Sequence, residues 1–338
     1  MKKILFALCA VATFASCTKN EVLSYDQEAI GFDNAFVDNA TRSVEDPSYS
    51  TSNMFTDFAV YGFVEGASVF NGIEVGKGIT NGELTSEWKY SGTQYWIADA
   101  NYDFYAVAPF EGDWDIKTGT TPTDTGATIT FTNNNGTQDL LYAGIEERLG
   151  LASGNTAIAL TFNHILSKVK FSFVNNYNAT SATIRVKDIE ITNAWSTAEA
   201  ALSNSVAWSN HQNDNVVIAF GNATDDQSTD DKEGVDVNYA YGKTYESYYE
   251  RFVIPAPNKE WNIEFTVDLL VSGQVIKSYD HTAKLTTAFE HGKAYDIAAT
   301  ITAANIDPNT SQEPIEFTAT MNDWDPAENK TATIVDNN

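Results

Sequence analysis

The chain has 338 residues, of which 46 are Asp or Glu and 20 are Lys or Arg, so its formal net charge at pH 7 is −26. A chain this acidic repels nucleic acid and anionic lipid, and no cluster of basic residues offsets the charge, which excludes nucleic acid as a partner. The length makes two domains the natural expectation.

The N-terminus has the pattern of an export signal. Met1-Lys2-Lys3 is basic, and the run from Ile4 to Ala15 is apolar apart from Thr13. A run this short suits the apolar region of a signal peptide and is too short to span a bilayer comfortably. We therefore predict a signal peptide over residues 1–16.

The end of this segment, Phe14-Ala15-Ser16-Cys17, resembles the lipobox of bacterial lipoproteins, in which small residues precede a Cys that becomes the lipidated first residue. Phe14 departs from the aliphatic residue usual at its position. Cys17 is the predicted lipidation site, since several acyl chains on one residue anchor a protein stably. The alternative is an ordinary signal peptide that is cut near Ala15, with Cys17 incidental.

The cysteine content agrees with lipidation. The chain has two cysteines, and Cys9 lies inside the predicted signal. Once the signal is removed, the mature chain can form no internal disulfide, so its fold depends on its hydrophobic core. Lipidation then accounts for the thiol of Cys17.

Beyond the signal, a period of two dominates the apolar pattern, and helical periodicity is scarce. Runs rich in Val, Ile, Phe, Tyr and Thr alternate with clusters of Gly, Asn, Asp, Ser and Pro, which is typical of β-sandwiches and barrels. We therefore predict an all-β fold. The predicted strands are 30–32, 55–64, 102–108, 127–131, 157–162, 168–174, 183–191, 215–220, 250–254, 261–271, 275–279, 295–301, 315–321 and 331–335.

Three segments depart from this pattern. Residues 197–202 are the best helix candidate, with Ser196 as the N-cap. The polar stretches 38–53 and 222–234 predict linkers or long loops.

A turn-rich break at residues 150–155 interrupts the strands. We predict a domain boundary near residue 155, which gives an N-terminal β-domain over residues 43–155 and a C-terminal one over residues 156–338.

No residue pattern typical of catalysis or metal binding is present. The sequence lacks the HExxH, CxxC and G-x-S-x-G motifs. The pairs Asp225-Asp226 and Asp230-Asp231 lack the spacing of an EF-hand, which favours a solvated loop over a calcium site. We therefore predict no catalytic residue, no metal site, no cofactor and no enzymatic activity. The histidines are scattered singly at His164, His211, His281 and His291.

The aromatic residues allow two interpretations. Rings on β-strands fill cores and line strand faces, which is the favoured interpretation, whereas exposed rings stack on sugars. Binding of a glycan therefore stays open. The two clusters concerned are Trp88, Tyr90, Tyr95 and Trp96, and Tyr241, Tyr245, Tyr248 and Tyr249.

After Cys17, short aromatic-rich fragments follow one another in a particular order over roughly residues 30 to 325. The fragments are Phe58-x-Val60-x-Gly62-Phe63, Trp96, Tyr102-x-Phe104-Tyr105-Ala106, Asp139-Leu140-Leu141-Tyr142-Ala143, Phe162-x-His164-x-Leu166-Ser167-Lys168-Val169-x-Phe171, Phe252-Val253-Ile254-Pro255, Gly292-Lys293-Ala294-Tyr295-Asp296, Pro314-Ile315-x-Phe317 and Trp324. Taken together, the set resembles the fimbrillin family, the Mfa-like pilus subunits of Bacteroides-type bacteria.

The resemblance implies two transthyretin-like β-sandwich domains in tandem, export as an outer-membrane lipoprotein, and assembly into a type V pilus at the cell surface. In the family an arginine-directed protease clips an N-terminal segment, and a strand from a neighbouring subunit takes its place. Here the matching cleavage position is Arg42-Ser43, so residues 17–42 are the lipidated segment that is removed. The position lies in a polar loop, where proteases cut most readily.

The implied function is that of a structural subunit, an anchor or a tip adhesin of the pilus, with other pilus subunits as partners. The alternative function is that of a monomeric outer-membrane surface lipoprotein that binds glycan or protein on a host or bacterial surface.

The segment that clipping would detach contains one strand with an apolar face. Ile30, Phe32 and Phe36 lie on the same side of an extended strand over residues 30–36. We predict that this face plugs the first sandwich before clipping. The favoured donor of a replacement strand is the stretch 331–335, which could instead complete its own domain.

Overall fold

The computed structural model describes residues 28–37, 56–80, 83–118, 127–179, 181–202, 206–224, 240–306, 314–324 and 332–333. In the first half of this described part, the strands are β1 (Phe32–Val37), β2 (Asp57–Val64), β3 (Ala67–Thr80), β4 (Glu83–Tyr90), β5 (Asn101–Ala108), β6 (Trp114–Thr118), β7 (Ala127–Thr132), β8 (Leu141–Leu149) and β9 (Ile158–His164).

The second half continues in the same way and contains one short helix, α1 (Ala303–Ile306), among the residues described. Its strands are β10 (Ser167–Asn175), β11 (Thr183–Ala194), β12 (Thr197–Leu202), β13 (Val206–Gln212), β14 (Val216–Gly221), β15 (Ala223–Thr224), β16 (Thr244–Ser247), β17 (Arg251–Val253), β18 (Trp261–Val271), β19 (Gln274–Leu285), β20 (Lys293–Ile301), β21 (Phe317–Asp323) and β22 (Ala332–Thr333). The prediction of an all-β fold is confirmed.

The first sheet has seven strands in the order β1-β9-β8-β5-β2-β3-β4. Its end strands β1 and β4 contact each other, so the sheet curls around its own concave face. Phe58, Phe70, Phe104 and Phe162 are fully buried on that face. The aromatic side chains of these strands therefore fill a core. Of the two aromatic clusters considered for sugar stacking, Trp88, Trp96 and Tyr245 are buried, whereas Tyr95 and Tyr241 are exposed.

A second sandwich forms from the later strands. One sheet has the order β15-β16-β10-β20-β21-β22, with β17 also paired to β10, and the facing sheet has the order β14-β11-β18-β19. Strand β10 shows why this segment is a strand: Val169, Phe171 and Phe173 are buried on one face, while Lys168 and Lys170 on the other face are half-buried. The alternation gives one face to the core and the other to water.

A four-stranded sheet joins the two halves of the chain, in the order β13-β12-β7-β6. It lies over the convex face of the first sheet, where Tyr105 and Val107 pack with Phe131 of β7 and Ala200 of β12 in one buried cluster. Strand pairing crosses the predicted boundary near residue 155 here, and again where β9 pairs with β1 and β8. The division into domains at that residue stays a prediction.

The predicted helix over residues 197–202 is wrong. This segment is the strand β12, which pairs antiparallel with β7 on one side and β13 on the other. Ala198 and Ala200 are buried while Ala201 is exposed, so the residues alternate in burial as a strand requires. Two neighbouring strands outweigh the helix preference of the alanines.

Candidate functional site

The N-terminal segment, residues 28–37, lies between strand β9 and the loop that follows β4, and it is hydrogen-bonded to both. Strand β1 pairs in parallel with β9, with Phe32 opposite Ile158. On the other side, the backbone N–H of Ile30 donates to the carbonyl of Gln94 at 2.8 Å. The N–H of Trp96 donates to the carbonyl of Glu28 at 3.0 Å. The segment therefore closes the gap left between the two ends of the curled sheet.

The side chain of Phe32 fills an aromatic socket. Its ring meets those of Phe58, Phe70, Tyr90 and Phe104 edge to face, with centroid distances of 6.0, 5.6, 5.9 and 6.2 Å. Edge-to-face contacts of this kind add to the free energy gained by burying the ring. The four rings of the socket lie on β2, β3, β4 and β5, so Phe32 of β1 completes a core that those strands supply.

Ile30 occupies a second apolar position on the same face. Its side chain is 1% exposed, and the hydroxyl of Tyr90 donates to its carbonyl at 2.7 Å. The structure thus places Ile30 and Phe32 in the core. The backbone of Phe36 pairs with Thr161, while its side chain lies outside the described residues. That this strand is a removable plug stays a prediction.

Glu28, two residues before Ile30, adds a polar contact that the sequence patterns do not indicate. Its carboxylate accepts hydrogen bonds from the backbone N–H of Gly154 at 2.7 Å, from the N–H of Asn155 at 2.5 Å and from Asn155 Nδ2 at 2.9 Å. These hydrogen bonds lower the pKa of Glu28 below its ordinary value. The bond from the Gly154 N–H has the largest effect, and those from the backbone and side chain of Asn155 come next. We call Gly154 and Asn155 the carboxylate cradle.

The lipidation and cleavage positions, Cys17, Arg42 and Ser43, lie outside the described residues. In the sequence, Arg42 falls between the end of β1 at Val37 and the start of β2 at Asp57. The acidic pairs at residues 225–231 also lie outside the described part of the chain.

The C-terminal stretch has a partner in its own chain. Ala332 and Thr333, which form β22, pair antiparallel with Met321 and Thr320 of β21. At the end of β21, the ring of Trp324 is stacked between those of His164 and Phe252, with centroid distances of 4.0 and 5.3 Å. Trp324 therefore contacts both the first sheet, through His164 of β9, and the second sandwich, through Phe252 of β17.

A cleft of about 720 Å³ lies beside the four-stranded sheet. The Nζ of Lys259 stands 4.0 Å from the ring centroid of Trp195 and 3.6 Å from the carboxylate of Asp214. Burial lowers the pKa of Lys259, and Asp214 opposes the shift. The residues that line the cleft include Asn193, Trp195, Trp208, Asp214, Lys259 and Lys284.

The histidines lie in different settings in the described structure. His164 Nδ1 is 2.7 Å from a carboxylate oxygen of Asp139, and His211 Nε2 is 2.8 Å from the carbonyl oxygen of Pro255. Burial lowers the pKa of His281 and of His291. Among the residues described, no three His, Cys, Asp or Glu side chains come together as a metal site would require.

A protein-family model described as fimbrillin-like matches residues 41–324, which is most of the chain. The chain belongs to the fimbrillin-like family. The fimbrillin-like assignment confirms the family resemblance of the sequence fragments. Membership of this family makes the chain a pilus- or adhesion-related protein of the cell surface. The family assignment also agrees with the prediction that the chain is not an enzyme.

Solved structures similar to this fimbrillin-like chain include two named "putative cell adhesion protein". The one from Bacteroides uniformis ATCC 8492 is 16% identical, covers 89% of this chain and 99% of its own, and has a TM-score of 0.48. The one from Bacteroides ovatus ATCC 8483 is 14% identical, covers 89% and 98%, and has a TM-score of 0.47.

A third similar structure is the fimbrial anchor protein Mfa2 from Porphyromonas gingivalis, at 13% identity, 88% and 97% coverage, and a TM-score of 0.37. No match was found among curated proteins. In the described part of this fimbrillin-like chain, no helix has the length and apolar character needed to cross a membrane.

Proposed function

We propose that this chain is a subunit of a surface pilus, exported as a lipoprotein, held in the outer membrane through Cys17, and assembled by strand exchange after clipping between Arg42 and Ser43. The observation that carries the proposal is the position of β1. It is an end strand of its sheet, yet its Phe32 ring fills the middle of the aromatic core.

Clipping after Arg42 would leave β1 attached only by non-covalent contacts. Its departure would expose the socket of Phe32 and the site of Ile30, together with the backbone groups of Gln94, Trp96 and Ile158 that now pair with it. An apolar groove flanked by unpaired N–H and C=O groups accepts an incoming strand. Each apolar side chain seated there contributes roughly 1.5–3 kcal/mol.

The test is Arg42→Ala, which removes the predicted cleavage position. We expect the variant to be exported and lipidated and to remain a monomer, because β1 stays covalently attached and keeps its groove. The measurement is fibre formation by electron microscopy after treatment with an arginine-specific protease.

The control is Arg148→Ala, which removes the next Arg along the chain, a half-buried residue whose side chain bonds Thr156. It should assemble like the unaltered chain. Normal fibres from Arg42→Ala would show that this residue is not the site of clipping.

A second candidate function, binding of a surface glycan, is supported by the cleft. Half-buried Trp195 and Trp208 are surrounded there by Asn193, Asp214 and Lys284, whose side chains are able to hydrogen-bond to the hydroxyl groups of a sugar. An apolar surface with a few polar groups around it is the usual composition of a ligand site.

Binding of the mature chain to an array of host and bacterial oligosaccharides tests this function. Asp214→Ala should weaken binding of any glycan that is retained, whereas Glu111→Ala, at an exposed acid outside the cleft, should not. Equal binding by both variants would show that the cleft is not the glycan-binding site.

A further inference from the structure

Four large apolar side chains are left exposed on two neighbouring segments of the first sheet. Tyr95 and Ile97 lie in the loop after β4, 47% and 52% exposed, and the tryptophan between them is buried. Leu149 and Leu151 lie at the end of β8, 45% and 44% exposed, and the glycine between them is buried. Both segments therefore turn two apolar side chains outwards, as alternation in an extended chain allows. We call these four residues the apolar patch.

Backbone hydrogen bonds join the two segments into one surface. The N–H of Gly150 donates to the carbonyl of Ala100 at 2.8 Å, and the N–H of Asp99 donates to the carbonyl of Gly150 at 2.9 Å. A β-carbon at position 150 would collide with the carbonyl oxygen of Ile97, so the glycine permits this close approach. Apolar residues scattered singly over a surface are ordinary, whereas a contiguous exposed patch marks a site of interaction.

The first described residues of the chain lie beside the apolar patch. Ala29 forms an antiparallel bridge with Tyr95. The carboxylate of Glu28 lies in the carboxylate cradle, where the side chain of Asn155 is in turn hydrogen-bonded to the backbone of Leu151. The N-terminal segment therefore meets both halves of the patch.

The predicted lipidation site is close to this point along the chain. Cys17 lies eleven positions before Glu28. A chain of that length spans at most about 40 Å when fully extended. A lipid on Cys17 would therefore bring the apolar patch within reach of the membrane surface.

The charges around the patch favour an apolar contact over an electrostatic one. The chain carries a formal net charge of −26, and exposed Asp99 and Glu147 each lie two positions from a patch residue. Anionic headgroups repel such a surface. Zwitterionic headgroups do not, so apolar side chains are free to leave water among them.

We propose that Tyr95, Ile97, Leu149 and Leu151 form a membrane-contact surface, which enters the interface of a zwitterionic lipid layer and turns this end of the first sheet towards the membrane. The inference rests on the proposed attachment through Cys17. The lipid supplies the affinity and the patch supplies the orientation, since two linked contacts act together. The patch alone binds weakly, so the contact is released when clipping removes the lipidated segment.

The first test supplies the anchor chemically. The chain from Cys17 onwards contains one thiol. That thiol is coupled to phosphatidylcholine vesicles that carry a maleimide lipid, and hydroxyl-radical footprinting then measures the oxidation of each side chain. The four patch residues should be oxidised severalfold less than in a thiol-capped chain that is mixed with plain vesicles.

Tyr241 and Ile276 are matched internal controls, because each is 58% exposed and lies outside the patch. Their oxidation should not change on coupling. Equal protection of the controls and the patch would mean general shielding by the vesicle, and an unchanged patch would mean that another surface faces the lipid. Either result would overturn the proposal.

The second test weakens the patch in the thiol-capped chain, without a tether. Ile97→Asn combined with Leu151→Asn should lower partition into phosphatidylcholine vesicles about tenfold, because two apolar side chains no longer leave water. Val275→Asn combined with Ile276→Asn, at another exposed apolar pair, is the control and should partition like the unaltered chain. All four positions are exposed, so the unfolding midpoints should agree. Equal partition of all three chains would contradict a role for the patch.

Two further measurements identify a different occupant. Stronger partition into vesicles that contain phosphatidylglycerol would show that electrostatic attraction holds the chain, against the proposal. Protection of the patch in concentrated protein without vesicles would show that the patch joins two copies of the chain instead.

The outcomes also separate this inference from the proposed anchor. Because the tether is supplied chemically, footprinting does not depend on lipidation in the cell. An unprotected patch, together with a Cys17→Ser protein that is soluble in cells, would leave the anchor standing and the membrane-contact surface wrong. A protected patch together with a Cys17→Ser protein that stays in the membrane fraction would leave the surface standing and the anchor wrong.

Discussion

His281 gives the fold a dependence on pH. It is 7% exposed in β19, and its ring is stacked on that of Phe265 at 5.2 Å. Burial lowers the pKa of its imidazole below the ordinary 6.5, with Asp280 opposing the shift. The unfolded chain therefore binds the proton more readily, so stability falls as the pH drops below 6.5 towards the folded-state pKa.

His281→Gln should lessen this acid sensitivity, because glutamine takes up no proton. The unfolding midpoint of the variant should fall less than that of the unaltered chain between about pH 6.5 and about pH 5. Thr282→Gln, at the exposed neighbouring position, is the control. The same pH dependence in all three chains would contradict a role for His281.

Cys17 is the residue on which membrane attachment depends under the proposed function. Cys17→Ser removes the thiol that would carry the acyl chains, so the exported protein should appear in the soluble fraction. Several acyl chains on one residue make the difference large, since even two anchor a protein far better than one. Cell fractionation with an antibody to the chain measures it, with Ser16→Ala as the control. Retention of the Cys17→Ser protein in the membrane fraction would argue against this anchor.

The contact between Glu28 and Asn155 marks the limit of sequence reasoning at this scale. Ile30 and Phe32 can be recognised in the sequence because apolar alternation is a local pattern. Glu28 and Asn155 are 127 positions apart, and each is an ordinary polar residue of a turn-rich segment. Only the closure of the curled sheet brings them together, and no local pattern encodes that closure.

At the scale of elements, the sequence predicts strands best where one face of the strand is buried and the other face is exposed to solvent. The predicted strand 168–174 corresponds to β10 (Ser167–Asn175), in which buried and half-buried residues mostly alternate. Strand β3 is absent from the predicted strands because glycines at positions 72, 76 and 78 break up its apolar pattern. Strand β12 resembles a helix because alanine favours helices in isolation, and a local window does not show its strand partners β7 and β13.

The boundary between the halves is difficult to predict for a related reason. A cluster of turn residues at 150–155 indicates a loop, and the structure has one between β8 and β9. A loop does not show which sheet the next strand will join, and β9 returns to the first sheet beside β1. The groove of the proposed strand exchange is thus built from strands on both sides of this loop.

At the scale of the whole molecule, we expect the tail to be removable without loss of the fold. Deleting residues 330–338 takes away β22, a two-residue strand at the end of its sheet that pairs with β21. Trp324 stays stacked between His164 of the first sheet and Phe252 of the second sandwich. The unfolding midpoint should therefore change little, since changes at an edge of this kind usually cost less than about 0.5 kcal/mol.

Under the proposed strand exchange, each subunit has one groove and one tail, so a variant without a tail and a variant with a blocked groove should pair with each other once. A chain lacking residues 330–338, clipped at Arg42, offers an open groove and no tail. An Arg42→Ala chain offers a tail, but β1 still fills its groove. Each alone should remain a monomer, and their mixture should form a dimer and nothing larger, as measured by multi-angle light scattering. Fibres from the tail-deleted chain alone would show that another segment is the donor, and higher oligomers in the mixture would show that β1 does not block the groove.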